Sequence, residues 1–349
     1  MSNKMTFTYS LKIGLFKRLL NEKHLFYHHY SSNSRYNVLF FGSDGIALKS
    51  LKKINEFRKA ANCINRLDLV TTNNSKHRSV TEQYAQKENL KTIPWPLQNV
   101  QQLDYDIGLI VAFGHLIRDH VLEKFPLGMV NVHPSLLPRW RGAAPIIHTL
   151  LHGDQLTGVS LMRIKPNIFD VGEIINQRTV PVPKDILLPE LTEQLSEIGA
   201  EMLVDCMRTL PESLANAKPQ SEEGVTYAKK INKSISDVRW SDMTATEVYN
   251  LYRAIYGLYP LTTTFRNKQL KLFDAFLDET VDSCSVSKPE GSLEYCEKKN
   301  AIRVLCKDKT YIYFRSLRIV GKKEITALDF YNGYIKNMPL EKRKCMVVK

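Results

Sequence analysis

The chain has no uninterrupted apolar run of the roughly 18 residues that a membrane-spanning helix needs, so no membrane span is expected. Cysteine is scarce, with six in 349 residues, and no two of them form a C-x-x-C pair. That scarcity argues against a zinc site or a disulfide scaffold and fits a reducing compartment. The dinucleotide fingerprint G-x-G-x-x-G is also missing, and no residues have metal-ligand spacing. We therefore expect neither a dinucleotide nor a metal.

Acidic residues are unevenly spread, and the net charge of +13 comes from the two ends of the chain. Residues 36–224 are almost neutral, whereas residues 225–349 hold 23 Lys or Arg against 14 Asp or Glu. A basic carboxyl-terminal third favours a polyanionic partner, most simply a nucleic acid. A solvated basic surface that serves only solubility is the alternative.

The first 35 residues contain a single acidic residue, Glu22, against six Lys or Arg. Apolar and hydroxyl side chains are interleaved with the basic ones, which is typical of a mitochondrial transit peptide. This composition predicts delivery to the mitochondrial matrix. A disordered basic tail on a cytosolic protein is the other interpretation.

Short apolar runs alternate with helical patterns through the first two thirds of the chain, which predicts an α/β fold with a doubly wound, Rossmann-like, mostly parallel sheet. Further short strands at regular spacing predict a small antiparallel barrel in the last third. Between the two, a stretch with proline, glycine and polar residues is typical of a linker. The predicted segments are a catalytic domain over 36–210, a linker over 211–235 and a basic second domain over 236–349.

The stretch from 131 to 145 is the most informative part of the sequence. Asn131 and His133 follow the apolar pair Met129 and Val130. Residues two apart on an extended backbone point to the same side, so a carboxamide and an imidazole face one pocket. Open α/β sheets bind ligands at the carboxyl ends of their strands. Taken alone, the pair also fits two satisfied polar residues at a strand end.

The string Ser-Leu-Leu-Pro-Arg-Trp-Arg-Gly-Ala-Ala-Pro at 135–145 closely resembles the signature of the formyltransferase family that uses 10-formyltetrahydrofolate. Its variant is similar to that of the members acting on methionyl-tRNA. The resemblance implies a Rossmann-like domain followed by an OB-like β-barrel that binds tRNA. It also implies transfer of a formyl group from 10-formyltetrahydrofolate to the amino group of the initiator methionyl-tRNA, with no metal.

The resemblance also assigns site residues. Asn131, His133 and Asp170 match the family's catalytic positions. Asp170 lies in Phe-Asp-Val-Gly-Glu, which keeps the Asp and Gly of the family's Leu-Asp-Thr-Gly-Asp but departs at Val171 and Glu173. The folate pocket is expected at Phe113, Gly114, Ser135, Leu136, Leu137 and Pro138.

Basic residues in three places are predicted to contact tRNA. Lys76 and Arg78 remain in a loop where the family can carry a basic insertion, although a plain solvated loop fits equally well. Arg139 and Arg141 either bind the aminoacyl end of the tRNA or anchor their own loop. The other predicted contacts are Lys230, in a Tyr-Ala-x-Lys-Ile pattern of the family, and Arg315 and Arg318, which alternate with aromatic residues.

Three other functions remain open at this point. A formyltransferase acting on a small amine shares the fold, and a 10-formyltetrahydrofolate hydrolase shares the three catalytic residues. A non-catalytic RNA-binding protein is the alternative from a different class.

Overall fold

The computed structural model describes residues 35–72, 78–278 and 288–346. Residues 1–34 of the predicted transit peptide lie outside the described residues. The described residues form two compact units, each built from several stretches of the chain. The first contains residues up to Arg141, Gly158–Val180 and Glu193–Tyr227, and the second contains Gly142–Thr157, Pro181–Thr192 and the residues from Ala228 onward.

The first two thirds of the chain alternate strands and helices, as the apolar pattern predicts. The strands are β1 (Tyr36–Phe41), β2 (Ile64–Thr72), β3 (Thr92–Trp95), β4 (Ile107–Val111), β5 (Met129–His133), β6 (Arg141–Gly142), β7 (Leu156–Arg163), β8 (Ile174–Pro181) and β9 (Tyr227–Ala228). The helices are α1 (Gly45–Ala60), α2 (Val80–Lys87), α3 (Asp119–Leu122), α4 (Pro145–Leu151), α5 (Leu188–Arg208) and α6 (Glu212–Ala215).

Seven of these strands form one sheet in the order β3-β2-β1-β4-β5-β7-β8. The strands from β3 to β5 are parallel, and β7 runs antiparallel to β5. The predicted doubly wound, mostly parallel sheet is confirmed. The strand order reverses between β1 and β4, and a ligand crevice is expected at the carboxyl ends of the strands beside such a switch point. Strand β5, which carries Asn131 and His133, is the next strand beyond β4.

Local chemistry explains where the elements begin. The side chain of Asp44 accepts a hydrogen bond from the backbone N–H of Ala47 and so caps α1. Burial raises the pKa of the Asp44 carboxyl, and the hydrogen bonds that it accepts from backbone N–H groups lower that pKa.

β1 and β4 are almost entirely buried, as expected of parallel strands covered on both faces. β8 was not predicted because most of its side chains are exposed and it has no apolar run.

The second unit contains an antiparallel sheet whose spacing was predicted from the sequence. Its elements are α7 (Ala245–Ile255), β10 (Leu261–Phe265), β11 (Lys268–Leu277), β12 (Leu293–Cys296), β13 (Ala301–Leu305), β14 (Tyr311–Ile319), β15 (Ile325–Thr326), α8 (Ala327–Phe330) and β16 (Cys345–Met346). Single 3-10 turns cover Val100–Gln102, Lys233–Ser236, Glu297–Lys299 and Leu340–Lys342, and a π-helical turn covers Tyr331–Ile335.

This sheet curls until its two ends meet. The strand order is β12-β13-β14-β11-β10-β16, with β15 attached to β14. The backbone N–H of Leu293 donates to the carbonyl of Arg343 at 2.8 Å, and that of Cys345 donates to the carbonyl of Gly291 at 2.8 Å. These bonds join the edges β12 and β16, so the predicted small antiparallel barrel is confirmed. Within the described residues, no helix has both the length and the apolar character to cross a membrane.

Candidate active site

Strand β5 places His133 at the carboxyl edge of the sheet, where its side chain is only 4% exposed. Its Nε2 lies 2.9 Å from the backbone carbonyl of Trp140, and a carbonyl can only accept, so Nε2 carries a hydrogen. The other ring nitrogen, Nδ1, lies 3.6 Å from Oδ1 of Asp170. A proton taken up at Nδ1 would therefore face the carboxylate of Asp170.

Asn131 lies two residues earlier on the same face of β5. Its backbone is held between Ile110 of β4 and Met162 of β7, and its side chain is half-buried. In the part of the chain that the structure describes, its carboxamide has no hydrogen-bond partner. A half-buried amide donor is therefore left for a ligand beside the His133 ring.

Asp170 is brought to His133 by a tightly built turn after β7. The aspartate is 9% exposed and has a φ of +56°, an uncommon conformation for a residue with a Cβ. Gly172 follows, and a Cβ there would lie 1.4 Å from the carbonyl oxygen of Arg163. Only glycine fits at that position, so a side chain there would displace the turn that carries Asp170.

Gln220 is a site residue that the sequence did not reveal. Its Nε2 donates to the backbone carbonyls of Asp170 and Gly172, each at 2.9 Å. Its Oε1 accepts from Nε of Arg141 at 3.1 Å and from Nη2 at 2.8 Å. The residue lies in the segment predicted as a linker, and one glutamine in a polar stretch gives no signal of such contacts.

Arg139 and Arg141 were each predicted either to bind tRNA or to anchor their own loop, and their contacts in the structure bear on that choice. Because Gln220 holds the guanidinium of Arg141, the structure favours loop anchoring for this residue. The guanidinium of Arg139 lies 4.3 Å from the ring centroid of Trp140. That tryptophan is buried, has a φ of +63°, and donates its backbone N–H to Oγ1 of Thr226 at 2.9 Å.

The loop from Ser135 to Pro138 is organised by the fully buried Ser160 of β7. The Ser160 hydroxyl donates to the carbonyl of Ser135 at 2.6 Å and accepts from the backbone N–H of Leu137 at 3.0 Å. Gln177 adds a hydrogen bond to Oγ of Ser160 at 2.8 Å and one to the carbonyl of Leu137 at 2.9 Å. The hydroxyl of Ser135 donates to the carbonyl of Arg139 at 2.6 Å, so it serves the loop itself.

We expect Ser160→Ala to destabilise this region by about 2–4 kcal/mol, because two buried backbone groups lose their partner. The check is the urea midpoint of unfolding followed by tryptophan fluorescence. Ser221→Ala, at an exposed position in the same unit where the hydroxyl accepts only from the backbone N–H of Glu223, is the matched control and should shift the midpoint far less. Equal midpoints for the two variants would contradict this role of Ser160.

The other predicted folate residues lie at the same edge of the sheet. Phe113 follows β4 and is 6% exposed, with its ring centroid 5.4 Å from that of Phe41 and 5.2 Å from that of Trp95. Gly114 has a φ of +73°, which allows the chain to turn there. Phe113 therefore supports the core under the crevice with most of its surface. Leu136 and Pro138 are half-buried.

The predicted tRNA residues fall in both units. Lys76 lies outside the described residues, and Arg78 is exposed, 3.8 Å from Glu82. In the second unit, Lys230 and Arg315 are exposed and Arg318 is half-buried. Two of these arginines stack on aromatic rings, with Arg315 4.3 Å from the ring centroid of Phe276 and Arg318 5.2 Å from that of Phe273. Cation–π stacking leaves the guanidinium edge available for phosphate oxygens.

The site as a whole offers a carboxamide donor, an imidazole and a carboxylate at one strand end. Among the described residues, no group of three or more His, Cys, Asp or Glu could hold a metal ion. An amide donor beside an imidazole–carboxylate pair can stabilise a developing oxyanion and accept a proton, which are the two needs of acyl transfer to an amine.

Comparison with known proteins identifies the family. Two family models match in order, the formyl transferase model over residues 66–219 and the formyl transferase C-terminal domain model over residues 230–335. The mitochondrial methionyl-tRNA formyltransferase of Homo sapiens is 40% identical over 89% of this chain and 82% of its own length. The methionyl-tRNA formyltransferase of Methylococcus capsulatus is 34% identical over 69% of this chain and 75% of its own length.

A solved structure shares the fold. It is the N-formyltransferase of Helicobacter canadensis, in complex with folinic acid and dTDP-3-aminofucose, which matches with a TM-score of 0.61 at 20% identity. The match covers 80% of this chain and 98% of that one. With both family models matched and relatives of 40% identity spanning most of the sequence, the chain belongs to the methionyl-tRNA formyltransferase family.

Proposed function

We propose that this protein transfers the formyl group of 10-formyltetrahydrofolate to the α-amino group of methionyl-tRNA. The acceptor is the initiator methionyl-tRNA of mitochondria, and the site of action is the mitochondrial matrix. The identity with mitochondrial relatives supports the compartment and the substrate. The observation that carries the chemistry is the buried His133, whose Nδ1 lies 3.6 Å from Asp170, two residues after the half-buried carboxamide of Asn131.

The reaction forms a C–N bond between the α-amino nitrogen and the formyl carbon, and breaks the bond from that carbon to N10 of the folate. Attack converts the formyl oxygen to an oxyanion. The N–H of Asn131 donates to it, and this kind of donor stabilises the transition state by about 3–4 kcal/mol. The proton of the attacking amine passes to the His133–Asp170 pair and returns to the leaving N10.

Binding roles follow the arrangement of the loops. We assign the folate to the crevice at the carboxyl ends of β4 and β5, walled by Phe113, Gly114 and the segment from Ser135 to Pro138. The Helicobacter canadensis enzyme, which shares this fold, was solved with a folate derivative, and that supports the assignment. We assign residues 36–210 to catalysis, 211–235 to the connection and 236–349 to tRNA binding. Arg315 and Arg318 supply phosphate contacts there, with Lys230 as a contact from the connection and Lys76, Arg78 and Arg139 as contacts from the first part of the chain.

The test compares four acceptors with 10-formyltetrahydrofolate as donor: mitochondrial initiator methionyl-tRNA, an elongator tRNA charged with another amino acid, free methionine and a dTDP-amino sugar. We expect formylation of the initiator alone. Formylation of the free amines at a similar rate would replace the proposal with a small-amine formyltransferase. Release of formate and tetrahydrofolate with no formylated acceptor would indicate a hydrolase, and tRNA binding without folate turnover would indicate a non-catalytic protein.

A further inference from the structure

We propose that Gln220 is a positioning residue that sets the distance between Asp170 and His133. This inference rests on the proposed function, because the pair that it positions is the proposed proton-accepting pair. Gln220 touches neither ring nor carboxylate. It acts through the backbone, donating from one NH₂ group to the carbonyls of Asp170 and Gly172 at 2.9 Å each.

These two carbonyls flank the single residue Val171, so one carboxamide holds both ends of the turn that carries the aspartate. The turn needs such support because Asp170 adopts a positive φ of +56°, which persists only where surrounding bonds determine it. Without the two hydrogen bonds, the turn loses the contacts that hold its two carbonyls, and the backbone of Asp170 can shift toward an ordinary conformation. The 3.6 Å approach of its carboxylate to Nδ1 of His133 would then be lost.

The other end of the carboxamide completes a ring of contacts around His133. Oε1 of Gln220 accepts hydrogen bonds from both Nε and Nη2 of Arg141. Arg141 directly follows Trp140, whose carbonyl accepts the hydrogen on Nε2 of His133 at 2.9 Å. Gln220 therefore joins the two elements that face the two nitrogens of the imidazole, the aspartate turn on Nδ1 and the tryptophan carbonyl on Nε2.

The backbone that carries Gln220 is itself fixed. The segment before it is hydrogen-bonded to the start of β8, with Ile174 N–H donating to the carbonyl of Lys218 at 2.7 Å and Lys218 N–H donating to the carbonyl of Ile174 at 2.8 Å. After it, Arg141 N–H donates to the carbonyl of Thr226 at 2.9 Å. The stretch predicted as a linker is thus an ordered support for the site.

The chemistry requires a carboxamide in this position. Two donors must face the carbonyls while an acceptor faces the guanidinium, and only an amide has both ends. Glutamate would keep the bond to Arg141 but place a carboxylate against two carbonyls. Leucine would keep the volume and lose every hydrogen bond. Glutamate therefore removes only the two hydrogen bonds to the carbonyls, whereas leucine also removes the hydrogen bonds from Arg141.

The experiment measures formyl transfer to methionyl-tRNA by Gln220→Leu and Gln220→Glu, with Glu222→Leu as the control at an exposed position on the same segment. We expect both Gln220 variants to lose kcat by roughly 10- to 100-fold, the cost of misplacing a catalytic group by about 1 Å. KM for either substrate should change by less than about threefold, because ground-state binding is not involved. Glu222→Leu should match the wild type.

A double-mutant cycle with Asp170→Asn separates positioning from a general structural role. If Gln220 acts through Asp170, adding Gln220→Leu to Asp170→Asn should cost little more, whereas a structural defect would lower kcat by the same factor in both backgrounds. Full additivity would overturn the proposal.

A second readout does not depend on turnover. Backbone hydrogen exchange of the peptide spanning 168–175 should be faster in Gln220→Leu than in Glu222→Leu, because the turn loses its two anchors. Unchanged exchange would overturn the proposal whatever the kinetics show. If the wild type formylates no acceptor while exchange accelerates in Gln220→Leu, the proposed function fails, but the role of Gln220 in holding the Asp170 turn stands.

Discussion

Replacing His133 with asparagine is expected to lower kcat/KM for formyl transfer to methionyl-tRNA by about 10²- to 10⁴-fold. In the proposed reaction the ring takes up the amine proton at Nδ1, which lies 3.6 Å from Oδ1 of Asp170. Asparagine removes the imidazole, and its amide lies near the place of Nδ1, so the hydrogen bond from Nε2 to the carbonyl of Trp140 is lost as well. The loss of activity should lie in kcat, and the unfolding midpoint shows how far the missing hydrogen bond lowers stability.

The measurement is a steady-state assay with methionyl-tRNA and 10-formyltetrahydrofolate, accompanied by circular dichroism and the unfolding midpoint of each variant. His152→Asn is the matched control, since this exposed histidine lies at the end of α4. It should retain wild-type turnover. A folded His133→Asn enzyme with near-wild-type kcat would remove His133 from the chemistry.

Asp170→Asn is the second large effect, with an expected loss in kcat of about 10³-fold. The substitution keeps the shape of the side chain and removes one negative charge beside the imidazole. A charge pair near 4 Å is worth about 4 kcal/mol at an effective dielectric constant of 20, which corresponds to roughly 10³ in rate if the imidazolium forms in the transition state. The backbone carbonyl that Gln220 holds is unaffected by the change.

The same assay checks this expectation, and Asp205→Asn on the exposed side of α5 is the control. Because Asp170 is buried, the unfolding midpoint has to be measured with the kinetics, so that lost stability is not taken for lost catalysis. If Asp170→Asn instead raised KM for methionyl-tRNA and left kcat unchanged, the aspartate would be a binding residue and the proposed proton path would be wrong.

The sequence predicted those features of the site that depend on local spacing. Strand β5 was predictable because its residues are buried and Asn131 and His133 are two apart, which fixes their common face. The position of Asp170 was predicted from a family resemblance. The physical basis of its turn is the close approach of the Arg163 carbonyl to Gly172, which leaves no room for a Cβ. The barrel followed from strands at regular spacing, although three threonines interrupt the apolar pattern within β10.

The contacts that the sequence could not reveal are long-range bonds to backbone carbonyls. Gln220 reaches back 50 residues to Asp170, and Ser160 reaches 25 residues to Ser135. Nothing in the identity of a glutamine or a serine indicates which distant carbonyl it will meet. The sequence also could not show that the guanidinium of Arg141 is held by the distant Gln220, or that the hydroxyl of Ser135 donates to the carbonyl of Arg139 in its own loop.

The most direct test of the central claim is a single-turnover reaction of the wild-type protein with pre-bound 10-formyltetrahydrofolate and mitochondrial initiator methionyl-tRNA. The aminoacyl ester is then hydrolysed and the released amino acid is identified by mass spectrometry. We expect N-formylmethionine to form together with tetrahydrofolate, and the His133→Asn protein to give unmodified methionine on the same timescale. Unmodified methionine from the wild type, with formate and tetrahydrofolate in solution, would contradict the proposed formyl transfer.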